Sequence, residues 1–425
     1  MTPANQSPHI LIVGAGLGGL TLAQCLRKQG VSFEIFERDA SEESRSQGWA
    51  IGLHTMLDEL HDAVPAGMPN LRETVHHLTP LKLNTQICMY FNNQLDKRIG
   101  VQDTPETPCI RANRPHFRHW LSTDIPIQWS KRLTGIDETP DGRISVRFAD
   151  GDTAVGDILV GADGVHSITR QYLLQRPNDE VLNVVPTATI IGELELSGQD
   201  MERQLSLGHS CWVATTSNFT HRLFVGLQQI SPDGRSGQYY WFFMQNDDKV
   251  GQPDHWLKIA SREEKLAYVK THASSLDPKL REIVEATPVE GIKDVPFIYR
   301  DAELSNLPSG RVALLGDAVH PMTPFRGECG VHAIRDALLL SKKLGEVNTQ
   351  DTQSIVKVID TYHAEVLERG VQAAKARRLG PYRKSDTAGD DNSGLGDLEV
   401  AGVALEAELQ LCRKHVVWQP ALADV

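Results

Sequence analysis

The sequence has no apolar run long enough to cross a membrane and no histidine spacing typical of a zinc enzyme. A bilayer-spanning helix needs roughly 20 consecutive apolar residues, and no stretch of the chain approaches that length. The first residues, MTPANQSPH, also lack the apolar centre of a secretory signal peptide. The 16 histidines form no HExxH pattern. These absences argue against a membrane-spanning protein, a secreted protein and a histidine-based metal site.

Cysteine and basic residues are also scarce. Six cysteines are spread over 425 residues without a CxxC pair, which is typical of free thiols in a reducing compartment. The formal net charge of −12 argues against a nucleic-acid partner, because a phosphate backbone is bound by basic surfaces. We therefore expect a soluble cytoplasmic protein.

The N-terminal region alternates β-rich and helical patterns. Residues 9–13, HILIV, form a short apolar run, and a helical pattern follows from Thr21 to Gln29. Gly30 is placed to end that helix, and residues 31–37, VSFEIFE, predict a second strand. This strand–turn–helix–strand order is typical of the start of a doubly wound α/β sheet.

The middle of the chain carries a different pattern. The apolar runs at 155–161 and 311–316 each precede an Asp-containing turn and predict later strands of the same sheet. Between them, residues 184–246 hold strand-like runs separated by Gly, Pro, Asn and Asp, which predict an inserted, mostly antiparallel sheet. Helical stretches near 262–273 and 276–286 follow this sheet.

The C-terminal part is predicted to be helical. One helix is expected from Ala333 to residue 344 and a second near 353–378. An acidic, turn-rich loop at 381–397 then leads to an amphipathic helix at 398–415. This last helix would pack on the body, cover a pocket or meet a second subunit, so a homo-oligomer stays open.

The predicted domain organisation is discontinuous. Residues 1–180 and 290–380 would form one α/β domain, and residues 181–289 would form the inserted sheet domain. Residues 381–425 would form a C-terminal loop and helix.

A glycine-rich turn joins the first predicted strand to the first helix. Gly14, Gly16 and Gly18 fit the pattern GxGxxG, and Gly19 adds a further glycine. These glycines allow a tight turn, the close approach of a diphosphate and close packing of helix on strand, while the helix N-terminus offers N–H groups. Glu37 follows 37 − 18 = 19 residues after Gly18, the usual position of an acid that binds a ribose. The motif predicts a dinucleotide and leaves NAD and FAD both open.

Two further elements make the pattern specific. Residues 157–170 read DILVGADGVHSITR, and residues 316–324 read GDAVHPMTP. With GxGxxG, in this order, they resemble the three motifs of the group A flavoprotein monooxygenases, the p-hydroxybenzoate hydroxylase family, of the fungal secondary-metabolism type. The second motif matches at Gly161, Ala162, Asp163, Gly164, Ser167 and Arg170, and the third at Gly316, Asp317, Ala318, His320 and Pro321.

The resemblance implies a fold and a chemistry. The fold would be α/β, a GR2-type Rossmann-like FAD-binding domain with an inserted, mostly antiparallel sheet domain and C-terminal helices. NAD(P)H would reduce bound FAD, O₂ would add at the flavin C4a atom, and the hydroperoxide would oxygenate an aromatic or polycyclic small molecule. The alternative is a flavoenzyme of the same fold that catalyses dehydrogenation or cyclisation without net oxygenation. A non-catalytic flavin-binding protein is a third class, and the retention of all three motifs argues against it.

The resemblance also implies roles for single residues. Asp317 would bind a ribityl hydroxyl, and the helix that begins near Gly327 would point its N–H groups at the flavin N1–C2=O edge. Asp163 would be mainly structural, and Pro324 and Phe325 would lie against the flavin. The cofactor-binding candidates are Gly14, Gly16, Gly18, Gly19, Glu37, Arg38, Gly48, Arg114, Asp163, Asp317, Gly327, Cys329, Gly330 and Val331.

The substrate is expected between the inserted sheet and the flavin. In YYWFFM at 239–244, strict alternation puts the odd-numbered side chains on one face of a strand and the even-numbered ones on the other. One set would line the pocket and the other would pack beneath helices, and the sequence leaves open which. The pocket candidates are Pro324, Phe325, Arg222, Tyr239 and Trp241, with Arg222 as a partner for a phenolate or carboxylate.

The sequence after the third motif differs from that of fungal family members at the start of the predicted helix. Fungal members often read RGEGANHA where this chain reads RGECGVHA at 326–333. Cys329 and Val331 stand in place of a glycine and an asparagine, and Gly330 would shift the flexible position by one residue. Cys329 has two interpretations, a small hydrophobic side chain or a thiol in contact with the flavin.

Overall fold

The computed structural model describes residues 7–44, 48–90, 95, 98–216, 220–324, 329–345, 347 and 352–378. The predicted loop at 381–397 and the predicted helix at 398–415 lie outside these residues. The chain divides into two compact units. The first unit contains Met1–His76, Pro108–Val185 and Tyr299–Ala374, and the second contains His77–Thr107 and Pro186–Ile298.

The helices are α1 (Leu17–Gln29), α2 (Leu57–Ala63), α3 (Leu71–Val75), α4 (Arg114–Ser122), α5 (Ile168–Leu174), α6 (Asn178–Val181), α7 (Gly198–Leu207), α8 (Arg262–Ala273), α9 (Pro278–Ala286), α10 (Cys329–Leu344) and α11 (Thr352–Arg378). The strands are β1 (Ile10–Val13), β2 (Phe33–Phe36), β3 (Ala50–His54), β4 (Gln86–Tyr90), β5 (Arg98–Gln102), β6 (Cys109–Asn113), β7 (Ile127–Gln128), β8 (Leu133–Glu138), β9 (Ile144–Phe148), β10 (Thr153–Gly156), β11 (Ile158–Gly161), β12 (Asn183–Val184), β13 (Thr187–Ser197), β14 (Cys211–Thr215), β15 (His221–Ile230), β16 (Ser236–Asn246), β17 (Arg300–Asp301) and β18 (Val312–Leu314). Within the described ranges, no helix is both long and apolar enough to cross a membrane.

The first unit is built on a five-stranded parallel sheet with the order β18-β11-β1-β2-β7. Both faces of this sheet are covered, which explains why β1 is apolar at every position. Ile10 and Ile12 belong to the core shared with α1, α4 and α10. Leu11 and Val13 belong to the core shared with the small antiparallel sheet β10-β9-β8. The α/β fold predicted from the sequence is confirmed.

Helix α1 begins four residues before the predicted start at Thr21, because the glycines of the turn continue into the helix. Gly18 lies where α10 approaches α1: a Cβ added there would be 3.3 Å from the Cβ of Ala333. The helix ends at Gly30, as predicted, and this glycine has a left-handed φ of 71°. Glycines of the turn thus also serve the packing of the helix, and local backbone chemistry sets its end.

The apolar run at 155–161 contributes to two strands rather than one. β10 ends at Gly156 in the antiparallel sheet, and β11 starts at Ile158 in the parallel sheet. Asp157 lies between them, and its carboxylate accepts a hydrogen bond from the His9 N–H at 2.8 Å. The chain passes from one sheet to the other at this residue, which the apolar pattern alone does not indicate.

The second unit is built on a six-stranded sheet with the order β13-β16-β15-β14-β4-β5. Its neighbours are antiparallel except for the parallel pair β14 and β4, so the predicted, mostly antiparallel sheet is confirmed. The sequence-based boundaries assigned residues 77–107 to the α/β domain, whereas His77–Thr107 belongs to the second unit. β4 and β5 lie in that segment, and helix α7 was not predicted. Pairing between strands far apart in the chain leaves no local sequence signal.

Helix α11 satisfies backbone groups of β18, which is an edge strand. The Tyr362 hydroxyl donates to the Leu314 carbonyl at 2.9 Å, and the Leu314 N–H donates to His363 Nε2 at 3.3 Å. Burial lowers the pKa of His363 to about 4. The ring is therefore neutral near pH 7 and accepts the N–H.

We expect the protein to lose stability as the pH falls from 6.5 to about 4. In this range His363 binds a proton in the unfolded chain but not in the folded protein, and this favours unfolding. The pKa of this group is depressed by folding, so its contribution is fully present above the unfolded value and is lost as the pH falls towards the folded value. The difference, 6.5 − 4 = 2.5, corresponds to about 3 kcal/mol at most. His363→Gln should flatten this part of the profile in urea unfolding measured above and below the range.

The exposed His119 offers a matched control, because 74% of its side chain is accessible. His119→Gln should keep the wild-type pH profile. Identical pH profiles for His363→Gln and the unmodified protein would contradict the assignment.

Candidate cofactor site

Three of the four glycines in the turn after β1 are needed for packing. Gly14 has a left-handed φ of 107°, and a Cβ added to it would lie 2.3 Å from the Ala162 carbonyl oxygen. A Cβ added at Gly19 would lie 2.0 Å from the Gly14 carbonyl oxygen, and one at Gly18 would lie 2.3 Å from a methyl group of Leu315. The turn after β1 therefore lies in close contact with the residues that follow β11 and β18.

Gly16 has a different environment. No described heavy atom lies within 4 Å of the Cβ position that a side chain there would occupy. Gly16 is also the N-cap of α1, and no side chain caps that helix. The N–H groups of the first turn, with the partial positive charge of the helix, therefore lie beside open space that fits a diphosphate.

Glu37 follows β2 and is hydrogen-bonded to the glycine turn after β1. One carboxylate oxygen accepts a hydrogen bond from the Ala15 N–H at 2.8 Å, and the other accepts one from the Asp39 N–H at 3.1 Å. Only 6% of the residue is exposed. Because each carboxylate oxygen can accept two hydrogen bonds, the group keeps acceptor capacity for a ribose hydroxyl.

Arg118 on α4 also holds the glycine turn, and sequence reasoning missed it. Its Nε donates to the Ala15 carbonyl at 2.9 Å, and its Nη1 donates to the Glu42 carbonyl at 3.2 Å. The guanidinium lies 5.3 Å from the ring centroid of Trp129. Its one signal in the sequence is its place four residues after Arg114, which is one turn later in α4.

Arg114 and Gly48 were predicted from separate segments, and the structure brings them together. β3 and β6 pair antiparallel, and the Arg114 N–H donates to the Trp49 carbonyl at 3.0 Å. A Cβ added at Gly48, which has a φ of 98°, would lie 3.2 Å from Arg114 Nη1. The guanidinium therefore lies against a residue where only glycine leaves room. Arg38, the remaining candidate next to Glu37, is exposed.

Asp163 of the second motif is engaged within its own turn. Its carboxylate accepts hydrogen bonds from the Ser167 hydroxyl at 2.5 Å, the Ile168 N–H at 2.8 Å and the Thr169 N–H at 3.0 Å. It thus satisfies backbone donors at the start of α5. This arrangement suits the structural role that the resemblance implied.

Arg170 connects the second motif to the third. The residue is fully buried, and its Nη1 donates to the carbonyls of Asp317 at 3.2 Å and Ala318 at 3.0 Å. Its Nε donates to the Asn178 side chain at 3.1 Å. Burial lowers the pKa of Arg170 to about 10, so the guanidinium remains charged near neutral pH. The sequence matched this arginine to the motif but assigned it no role.

The third motif is held by a buried carboxylate on α10. Asp336 accepts hydrogen bonds from the Gly316 N–H at 2.9 Å and from His320 Nε2 at 2.7 Å, and its other oxygen pairs with Arg369 of α11. Burial opposes the charged imidazole, but the Asp336 carboxylate outweighs it and raises the pKa of His320. Asp317 lies in the short 3₁₀ turn Gly316–Ala318 and is half-buried. The Nε2 atom of His320 is therefore occupied by its hydrogen bond to Asp336.

The departure at the start of α10 has a packing reason. A Cβ added at Gly330 would lie 1.9 Å from Cδ1 of Ile51, so this glycine allows α10 to approach β3. The Cys329 thiol donates to the Thr323 carbonyl at 3.1 Å, and Val331 is buried. Cys329 thus bonds to backbone that precedes the helix. Pro324 is exposed, and Phe325 and Gly327 lie outside the described residues.

Tyr239 and Trp241, which the sequence suggested as pocket residues, instead lie in the interior of the second unit. Both belong to the core beneath the helices, and Trp241 Nε1 donates to the Thr287 hydroxyl at 2.8 Å. Burial also raises the pKa of Tyr239, which removes its phenol from proton transfer near neutral pH. The correction follows from packing, since alternation defines two faces but not which one the helices cover.

The opposite face of this sheet carries the alternate aromatic set. The rings of Phe224, Tyr240 and Phe242 lie with centroids 5.5–5.8 Å apart. Gly226 makes room for one of them, because a Cβ there would be 2.6 Å from Cζ of Tyr240. Strand register puts Arg222 on the same face, next to Phe224 along β15. This face therefore carries a cluster of aromatic rings and the cationic side chain of Arg222.

We expect Gly16→Val to weaken FAD binding while the fold is kept. The backbone at Gly16 has a φ of −81°, which valine adopts, and its side chain would fill the open space beside α1. The dissociation constant for FAD, measured by fluorescence titration, should rise by at least about tenfold, or ~1.4 kcal/mol.

Gly19→Ala is the contrasting variant, because its methyl group meets backbone rather than open space. It should lower the thermal unfolding temperature of the apoprotein, whereas Gly16→Val should not. Wild-type FAD affinity in Gly16→Val would show that no cofactor occupies this space.

Comparison with known proteins identifies the family. A family model described as "FAD binding domain" matches residues 8–377. The FAD-dependent monooxygenase thnD of Trichoderma harzianum is 50% identical over 374 residues, which is 87% of this chain and 92% of that protein. The FAD-dependent monooxygenase dbaB of Emericella nidulans is 29% identical over 378 residues, 81% of this chain and 88% of that protein.

A solved structure shares the fold. HpxO of Klebsiella pneumoniae, crystallised with FAD and uric acid, superposes with a TM-score of 0.69 at 20% identity, covering 96% of this chain and 93% of that one. The FAD cofactor and the flavoprotein family predicted from three sequence motifs are confirmed. The match over residues 8–377, with the linked glycine, Asp163 and Asp317 turns, establishes that the chain belongs to the FAD binding domain family of flavoenzymes.

Proposed function

We propose that this protein is an FAD-dependent monooxygenase that uses NAD(P)H and O₂ to add one oxygen atom to an aromatic or polycyclic small molecule. The observation that carries the proposal is the linkage of three turns around the open space at Gly16. The names of the relatives support the reaction type, because both thnD and dbaB are called FAD-dependent monooxygenases.

The residues present suit each part of the cofactor. The N-terminus of α1 beside Gly16 would bind the diphosphate, and Glu37 would accept hydrogen bonds from the ribose of the adenosine half. Asp317 would accept one from a ribityl hydroxyl. Bound flavin would supply hydride acceptance from NAD(P)H and activation of O₂, and the protein would orient it and exclude water.

The start of α10 would face the ring system. The first turn, with Cys329, Gly330 and Val331, would offer backbone N–H groups and the partial positive charge of a helix N-terminus, which favour negative charge on the adjacent ring edge. Pro324 and Phe325 would lie against the ring. The hydrogen bond from Cys329 to the Thr323 carbonyl supports a structural role for this thiol rather than a reaction with the flavin.

The substrate class is supported by the face formed by Phe224, Tyr240 and Phe242. Aromatic side chains with ring centroids 5.5–5.8 Å apart form an apolar cluster against which a flat ring system would pack, by stacking or edge to face. Arg222, on the same face, would pair with a phenolate, enolate or carboxylate oxygen of the substrate. The recognition of a planar, oxygen-bearing ring system follows from this combination.

A group of cations beside the Asp163 turn suits the phosphates of NAD(P)H. Partial burial and the positive charges of Arg300, Arg170 and Arg38 lower the pKa of His166, which indicates that these groups lie close together. His166 and Arg38 are exposed, and Arg300 is half-buried. We propose that this group attracts the diphosphate of the reductant.

Removing charge from this group should weaken the binding of NADPH and leave the catalytic rate nearly unchanged. Arg38→Gln and Arg300→Gln should each raise the KM for NADPH several-fold with kcat nearly unchanged, because uniform binding is lost. Arg143→Gln, on an exposed hairpin and paired with Asp141, is the control and should leave KM unchanged. An unchanged KM in both test variants would refute the proposed reductant site.

The reaction type is tested by product mass. Purified protein with FAD, NADPH and ¹⁸O₂ should convert a planar phenolic or polycyclic probe to a product that carries one ¹⁸O atom. A product that has lost two hydrogens, or has cyclised, without gaining labelled oxygen would establish the dehydrogenation alternative instead.

The substrate face is tested in the same assay. Phe242→Ala should raise the KM for the probe, because a stacking surface is lost. Ile259→Ala is a control, since this side chain is exposed and lies outside that face. Equal kinetics for Phe242→Ala and the unmodified protein would reject the assigned face and leave the reaction type untouched.

A further inference from the structure

Asp336 is a buried carboxylate that none of the three motifs includes. None of its surface is exposed, and its donors come from three places: the Gly316 N–H, His320 Nε2 and Arg369 on α11. Burying a carboxylate is costly unless it is paired and hydrogen-bonded. The Arg369 guanidinium and the His320 ring meet that requirement, so the three side chains form one hydrogen-bonded cluster.

This cluster of Asp336, His320 and Arg369 holds the two ends of a single turn. The Gly316 N–H is at the start of the turn that presents Asp317, and Gly316 has a left-handed φ of 62°. His320 is at the end of the same turn. Asp336 bonds to both with one oxygen atom, at 2.9 Å and 2.7 Å. The turn is therefore tied at both ends to α10.

The middle of the turn is held from a second direction. Arg170 donates to the carbonyls of Asp317 and Ala318, at 3.2 Å and 3.0 Å. With both ends and the middle of the backbone fixed, the direction in which the Asp317 side chain leaves the turn is fixed as well. Sites that bind precisely are held in this way by surrounding hydrogen bonds.

Arg369 makes α11 part of this arrangement. It pairs with the Asp336 oxygen that the turn does not use, and 25% of its side chain is exposed. Gly370 lets the helix approach closely, because a Cβ there would lie 2.8 Å from the Cβ of His320. The helix thus contacts both the carboxylate and the histidine at the end of the turn.

We propose that Asp336 and Arg369 are positioning residues of the flavin site, which orient Asp317 towards the flavin half of FAD through the Gly316–His320 turn. Neither residue touches the cofactor. The inference rests on the proposed role of Asp317, and it does not depend on whether the enzyme oxygenates its substrate.

The test compares FAD with ADP as probes. ADP contains the diphosphate and the ribose that Gly16 and Glu37 would bind, but it lacks the ribityl chain. Arg369→Gln should raise the dissociation constant for FAD by about tenfold or more, or ~1.4 kcal/mol, and leave that for ADP within about twofold. Arg369→Lys keeps the charge and should restore most of the FAD affinity. Isothermal titration calorimetry on the apoprotein measures both constants.

The control breaks another ion pair between the same two helices. Lys343 and Glu365 pair at 3.7 Å, and Glu365 is 53% exposed, so Glu365→Gln should change neither constant. His320→Ala removes one donor to Asp336 and supplies the same comparison if Arg369→Gln is not recovered folded.

Two outcomes would overturn the proposal. Unchanged FAD affinity in the folded variants would show that the cluster does not position Asp317. An equal rise in the dissociation constants for FAD and ADP would show that the whole cofactor site, and not only the Asp317 turn, has been disturbed. If the unmodified protein bound ADP but not FAD, the proposed cofactor itself would fail, which is a distinguishable result.

Discussion

The close approach of three backbone turns is the constraint on which the first unit depends. The turn after β1 comes so near to the turn after β11 that a Cβ on Gly14 would lie 2.3 Å from the Ala162 carbonyl oxygen. On its other side, Gly18 leaves room for Leu315 at the end of β18. Because parallel strands end at the same edge of a sheet, these turns converge at the edge where α/β proteins bind their ligands. The missing side chains permit this convergence.

Buried charges hold the converged turns in place. Arg170 and Asp336 are both fully buried, and each bonds to the backbone of the turn that carries Asp317. A buried charge is costly alone, so each is surrounded by partners: Arg170 by carbonyl oxygens and an amide, Asp336 by Arg369, the His320 ring and an N–H. Such partners fix the backbone more narrowly than apolar contacts do, because hydrogen bonds are directional. These hydrogen bonds therefore constrain the backbone that carries Asp317.

The parts of the site that the sequence predicted are those with a fixed local spacing. GxGxxG, GADGxxSxxR and GDAxHP are short, and each includes residues whose backbone role is specific, so they indicated the cofactor and the fold together. The contribution of Arg118, Asp336 and Arg369 was not predictable in this way. These residues act on turns far away in the chain, and single charged residues inside amphipathic helices look like solvated ones.

The inserted sheet illustrates the same limit. Alternation in β16 identified two faces correctly, because the side-chain period of a strand is two. It did not identify the covered face, since α8 and α9, which pack on that face, come from another part of the chain. The structure places Tyr239 and Trp241 in the core and leaves Phe224, Tyr240 and Phe242 on the opposite face. Aromatic residues of β16 thus lie on both faces of the sheet.

The sequence by itself determined the cofactor class, the parallel sheet and the position of the turns, because glycine spacing, apolar runs and turn-capping acids are local chemistry. Only the tertiary structure decided why RGECGVHA tolerates its substitutions. Gly330 is required by the side chain of Ile51, and the Cys329 thiol bonds to the Thr323 carbonyl. The first reason is a contact between segments that lie far apart in the chain, whereas the second joins residues six positions apart. Each contact acts only after folding has brought its two sides together.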